Sequence, residues 1–149
     1  NILTMTQQEY LQYRVYDQVK WFDAKSAFNQ KMYKRFRLGE IVAAAAIPFL
    51  VGYHDLNPVF PFVTGFLGVL IVVLKGIEQL YKFHENWLSY RTTNEALKRE
   101  MFLFESGTDP YNGTDAYPIF VKAIEGILQQ ENNTWKVNVS VKPDAPQAE

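Results

Sequence analysis

Hydrophobic and polar positions divide the chain sharply. Over the thirty-four residues from Ile41 to Leu74, only His54, Asp55, Asn57 and Thr64 carry clearly polar side chains, although the mean hydropathy of the whole chain is -0.19. The run breaks at Gly52 to Pro58 into a first apolar arm, Leu38 to Tyr53, which carries Glu40 and Pro48, and a second, Val59 to Leu74, without charge. A helix of about 20 apolar residues crosses a hydrocarbon core of roughly 30 Å, so the pattern predicts two membrane spans, at about residues 38–56 and 58–76. The alternative is a buried core hairpin in a soluble all-helical protein. A chain of this size leaves too few amphipathic faces to cover Phe60, Phe62, Phe66 and the Leu67 to Leu74 run.

The flanks read as helices of a different kind. Leu11, Val15, Val19 and Phe22 recur at helical spacing, and Phe28, Met32 and Phe36 continue a related stripe, which predicts a helix over about 6–37 running into the first span. Beyond Leu74 the residues Ile77, Leu80, Tyr81, His84, Trp87, Leu88 and Arg91 share a side. The second helix is therefore expected to continue through about 77–105 and to stop at Ser106-Gly107. Gly107 to Pro118 holds the turn formers. Asp115 or Thr114 can cap a helix over about 118–131 whose face of Ile119, Phe120, Ala123, Ile124, Ile127 and Leu128 is predicted to pack back onto the arms, ending near Asn132-Asn133. Trp135 to Val141 alternates as a strand would, and residues 136–149 read as a flexible tail. The expectation is an all-α membrane protein: a two-helix transmembrane hairpin, its helices extended into a cytoplasmic helical bundle with a short C-terminal helix, in a single domain over residues 1–135.

Charge placement predicts orientation, because Lys and Arg near span ends stay on the cytoplasmic side. Lys31, Lys34, Arg35 and Arg37 precede the first arm, Lys75 and Lys82 follow the second, and the connection Tyr53 to Pro58 has neither residue type. A multi-pass protein of the cell membrane with both termini cytoplasmic follows. Asn112-Gly113-Thr114, Asn132-Asn133-Thr134 and Asn138-Val139-Ser140 match the N-glycosylation pattern, which works on the opposite face; the charge bias carries more weight.

Composition removes several functions. With 15 Lys and Arg against 16 Asp and Glu, the formal net charge of -1 gives no basic surface for nucleic acid. Cys is absent, which excludes disulfides and thiolate chemistry. The two His residues, His54 and His84, lie thirty apart and are expected on opposite membrane faces, so no metal site is predicted. No nucleophile elbow, phosphate loop or paired-carboxylate motif stands out, and neither an enzyme nor a cofactor is expected. A polar network of Glu78, His84, Glu85 and Arg91 between the arms would serve packing, and the arm aromatics, among them Tyr10, Trp21, Trp87 and Tyr90, are explained by an arm-to-arm core without a stacked base. The first 37 residues do not form a usual signal peptide, and Asn1 in place of Met suggests a processed start.

The candidate functional residues are those that sit awkwardly in lipid. Glu40 is expensive inside a span unless it faces water, protein or a cation; the alternative is that it snorkels toward the interface or pairs with Arg37 or Lys75. Asp55 and Asn57 in the connection form an acidic outer ring in an oligomer, or a simple turn before Pro58. Thr64, Gly68, Ile71, Lys75 and Glu78 share one face of the second helix and are candidates to line a path, or to pack. Gly39, Ala43, Ala46 and Gly65 would let helices approach closely, within one hairpin or between copies.

Several segments together resemble a known group: Trp21-Phe22-Asp23, then Lys31-Met32-Tyr33-Lys34-Arg35-Phe36-Arg37 before the first span, Gly76 to Trp87 (GIEQLYKFHENW) after the second, Tyr90 to Glu100 (YRTTNEALKRE), and Gln130 to Trp135 (QENNTW). In order and spacing they resemble the SLATT-like two-transmembrane proteins and relatives catalogued as a domain of unknown function, over roughly Tyr16 to Trp135. The resemblance implies a small, mostly bacterial membrane protein with a pore-forming role, sometimes linked to nucleotide-signalled defence. A lone two-helix hairpin cannot enclose water, so the expected function is a homo-oligomeric pore or ion channel, cation-conducting and gated or assembled by its cytoplasmic helices. Its partners would be the lipid bilayer, further copies of itself and monovalent or divalent cations. The other reading is a non-conducting membrane scaffold or sensor that binds a partner protein through those helices.

Overall fold

A computed structural model describes residues 5–53, 55 and 57–140, with the backbone alone for 134–140. It is all-helical, with no strand among the described residues: α1 (Gln7–Tyr10), a π-helical turn (Leu11–Tyr16), α2 (Asp17–Gly52), α3 (Phe60–Tyr81), α4 (Phe83–Glu105) and α5 (Ala116–Ser140). His54 of the expected connection and residues 141–149 of the expected tail lie outside the described residues. Chain contacts divide the molecule into a unit of residues 24–88 and a unit of residues 1–23 with 89–149.

The second unit is a helical bundle with an apolar core. Thr6 starts it through a capping box: its hydroxyl accepts from the Glu9 N–H, and the Glu9 carboxylate accepts from the Thr6 N–H at 2.9 Å. Tyr10, Val15, Phe22, Leu97, Met101, Phe120, Ile124 and Leu128 are buried together. Phe120 lies at the centre, stacked on Phe104 at 4.2 Å between ring centroids, with Tyr111 and Tyr10 meeting it edge-on. The expected α5 face does pack onto the arms; Ile119, at its margin, is exposed. α5 also runs on to Ser140, past the expected stop at Asn132-Asn133, so Trp135 to Ser140 is carried on helix rather than strand.

Residues 24–88 contain the hairpin. Of the expected Phe28–Met32–Phe36 stripe, Met32 and Phe36 are half-buried but Phe28 is 57% exposed, while Ser26 and Asn29 are buried. From Phe22 onward a line of covered or half-covered positions runs through Phe22, Ser26, Asn29, Tyr33, Phe36, Glu40, Ala43, Ile47 and Leu50 in alternating steps of four and three, with Gln30, Met32, Gly39 and Ala46 half-buried beside it. That 3.5-residue period keeps one seam facing a partner along a long helix, whereas a 3.6-residue stripe drifts round it. The Asn29 amide meets its need locally by donating to the Lys25 carbonyl at 2.8 Å.

α3 and α4 are separate helices, where one continuous helix was expected. Lys82 adopts φ 49°, a left-handed conformation, and ends α3 with its N–H on the Glu78 carbonyl at 2.9 Å. The Asn86 side chain donates to the Tyr81 carbonyl at 2.9 Å, satisfying an acceptor that the break would strand. Leu80 and Tyr81 are accordingly exposed, and Phe83 is buried against Phe36 in a stacked pair at 5.6 Å.

Candidate functional site at the charged end of the hairpin

α3 contains no fully buried residue although it is the most apolar element. Within Phe60–Glu105 its apolar part is long enough to cross a membrane, and no residue of that part is fully buried. The apolar part of α2 falls short of the same standard, because any eighteen-residue window reaching Gly52 takes in Arg35, Arg37 and Glu40. The two helices touch: a Cβ on Gly39 would stand 3.4 Å from Leu74 Cδ1.

Beside that contact lie two ion pairs. Arg37 Nη1 donates to Glu40 Oε2 at 3.1 Å and Lys75 Nζ to Glu78 Oε2 at 2.9 Å. In both, the carboxylate is turned inward and the cation outward: Glu40 and Glu78 side chains are 9% and 12% exposed, Arg37 and Lys75 52% and 54%. The pairs form one cluster, since the charges of Glu40 and Arg37 both act on Lys75. Glu40 Oε1 is buried with no hydrogen-bond donor among the described residues. A buried acceptor left unmade is costly, which makes Glu40 the most anomalous group in the hairpin.

The remaining candidates are placed unevenly. Thr64, Gly68, Ile71 and Glu78 lie on the half-covered face of α3, while Lys75 is exposed. The Thr64 hydroxyl donates to the Phe60 carbonyl at 2.9 Å, so it is spent within its own helix. In the connection Asp55 and Asn57 are exposed, and Asn57 Oδ1 accepts from the Val59 N–H at 2.9 Å, an Asx-type turn of the kind expected before a helix. Ala43 is buried, Ala46 half-buried and Gly65 exposed, with open space where its Cβ would stand.

Sequence reasoning missed the polar groups of the bundle. Glu85 and Arg91 are exposed, and the expected network with Glu78 and His84 does not form; His84 instead packs on Tyr33 at 4.8 Å. Asn94 Nδ2 donates to Asp23 Oδ1 at 2.7 Å, and the hydroxyls of Ser89 and Thr93 donate to Glu131 Oε2 at 3.0 and 3.2 Å. Arg14 grips both oxygens of Glu125, at 3.1 and 3.0 Å, and the Tyr10 hydroxyl joins at 3.0 Å. The Arg14 guanidinium, and after it the Tyr10 hydroxyl, hold the Glu125 carboxyl below its usual range against partial burial. Burial and the acceptor carboxylates of Glu125 and Glu100 push Tyr10 and Tyr111 up. A charged residue paired over a hundred positions away leaves no local signal. Among the described residues no three of His, Asp and Glu gather as a metal site.

An all-helical protein with one candidate membrane-spanning helix is the class these features define. Residues 17–118, more than half of the chain, match a family described as a protein of unknown function, DUF4231. The chain belongs to that family. No curated protein and no solved structure matches it.

Proposed function

We propose that the protein is a homo-oligomeric membrane pore that conducts cations. In this reading both arms of the hairpin cross the bilayer, Arg37 and Lys75 mark the cytoplasmic end, and both termini are cytoplasmic, in keeping with the bias of Lys and Arg to that side. The outer faces, including Phe62, Phe66, Val69 and Val72, are exposed, as lipid contact or a neighbouring copy requires. The observation that carries the reading is the inward pair of carboxylates, Glu40 and Glu78, at the charged end of an apolar hairpin, with Glu40 Oε1 lacking a donor. An intramembrane carboxylate is retained where it meets water, protein or an ion. A ring of copies would set Asp55 at the outer mouth and Glu40 and Glu78 at the inner one, and the bundle would gate or assemble the ring.

Reconstitution into liposomes tests this. Cation flux that is lost in Glu40→Ala or Asp55→Ala protein that still assembles is the expected result. Absence of flux from well-folded wild-type oligomers refutes the pore and favours the scaffold or sensor, for which the separately cored bundle is the natural docking part.

A further inference from the structure

The bundle of residues 1–23 and 89–149 contains a cleft of about 660 Å³ between the start of α2, α4 and the C-terminal half of α5. Small-molecule sites are commonly of about 300–1,000 Å³ with mostly apolar walls and a few placed polar groups. Three of the side chains lining it, Trp21, Phe22 and Tyr90, are aromatic, with Leu128 beside them. Phe22 is buried at the base, and Trp21, 47% exposed, meets Phe22 at 5.0 Å and 85° and Tyr90 at 5.6 Å and 79°. Rings at near right angles form a corner that presents π surface from two directions.

The polar groups of the cleft set the sign of its charge. Arg14 reaches it, but its Nε and Nη2 are both engaged by Glu125, so its charge is compensated. Glu131 and Asp17 also line the cleft, and neither has a cation within pairing distance among the described residues. Glu131 receives two hydroxyl donors, both on Oε2, leaving Oε1 without a protein donor among the described residues. Aromatic surface beside uncompensated carboxylate repels anions. A metal ion that keeps its hydration shell gains little from the rings, whereas an alkylammonium group gains both from the π faces and from the carboxylate.

We propose that the cleft bounded by Trp21, Tyr90, Asp17 and Glu131 is a binding site for a small organic cation of the alkylammonium class. The ammonium head sits in the Trp21–Tyr90 corner within reach of Glu131, and its carbon chain lies along Phe22. The site belongs to the bundle alone and does not rest on the pore reading.

Calorimetric titration of the full chain in detergent micelles tests it, with spermidine in one arm and choline in another, each against sodium chloride of equal ionic strength. Saturable binding by either cation and not by sodium is the expected result; spermidine alone identifies an N–H-donating ammonium, choline alone a quaternary one. Glu131→Gln, which keeps the shape, should weaken binding about tenfold, and Trp21→Ala by a similar factor, with partial rescue in Trp21→Phe. Glu95→Gln, on an exposed part of α4, should leave affinity unchanged. If Trp21→Ala does not fold, Glu131→Gln decides alone. No saturable binding of either cation, or wild-type affinity in Glu131→Gln, overturns the proposal. Because no flux is measured, failure here leaves the pore untouched, and failure of the pore leaves this site untouched.

Discussion

Replacing Glu40 by methionine should make the hairpin more stable, not less. The carboxylate is buried, its Oε2 is paired with Arg37 at 3.1 Å, and its Oε1 has no donor among the described residues. An unmet buried acceptor costs about 1–3 kcal/mol. The pair offsets little of this, because the Arg37 head is 52% exposed and such contacts contribute about 0.2–1 kcal/mol. Methionine is unbranched and of similar length, and it removes both terms while leaving Arg37 in solvent. The balance is a gain of about 1 kcal/mol. Chemical unfolding of wild-type and Glu40→Met protein in micelles, followed by circular dichroism, measures it, with Glu40→Gln as the polar control. The same Glu40→Met protein should lose cation flux in liposomes. A gain in stability joined to a loss of flux is the signature of a residue kept for function at the expense of the fold. If both variants are instead destabilised by 1 kcal/mol or more, Oε1 has a partner in the assembled protein and the reasoning from an unmet acceptor is wrong.

Other expectations follow from the bundle and the helix break. Phe120→Ala should cost about 3–5 kcal/mol, since the ring is fully buried on Phe104 and Tyr111, while Ile119→Ala, at an exposed position, should cost under about 1 kcal/mol; equal losses in denaturant titrations would refute the assigned face of α5. Lys82→Gly should stabilise by about 1 kcal/mol, because φ 49° is strained for a side chain and free for glycine; an unchanged or lower melting temperature counts against the break. Acid should weaken the bundle through Glu125. Its folded-state value is depressed from 4.5, so the Arg14 pair contributes above that pH and is lost as pH falls through the depressed value. Melting temperature against pH should show this limb in wild type and a flatter one in Arg14→Ala. Tyr10 and Tyr111 are raised from 10.0, so their contribution is present below that pH and is lost as pH rises beyond it. An alkaline decline that persists unchanged in Tyr10→Phe with Tyr111→Phe would exclude them as its source.

Much of the architecture was legible because hydrophobic periodicity is local information. The apolar run, the helical arms, the loop from Gly107 and the α5 face of Phe120, Ile124 and Leu128 can each be read from a dozen consecutive side chains, and a carboxylate at Glu40 is conspicuous in any apolar run. The errors arose where a partner decides. Phe28 lost its place to Ser26 and Asn29 because a seam along a long helix follows a 3.5-residue period, and a phenylalanine off that line is turned away however apolar it is. The break at Lys82 carries neither glycine nor proline. It is seen only with Asn86 satisfying the Tyr81 carbonyl and Phe83 stacked on Phe36.

By itself, then, the order of residues determined an all-helical chain with one stretch long and apolar enough to cross a membrane, because apolar surface and helical spacing are properties of neighbouring residues. Tertiary structure alone decided which polar groups are buried and who answers them: Arg14 with Glu125, Ser89 and Thr93 with Glu131, and Glu40 with one oxygen unanswered. Hydrogen bonds and ion pairs act over about 3 Å, and residues far apart in sequence come within that reach only when the helices have packed.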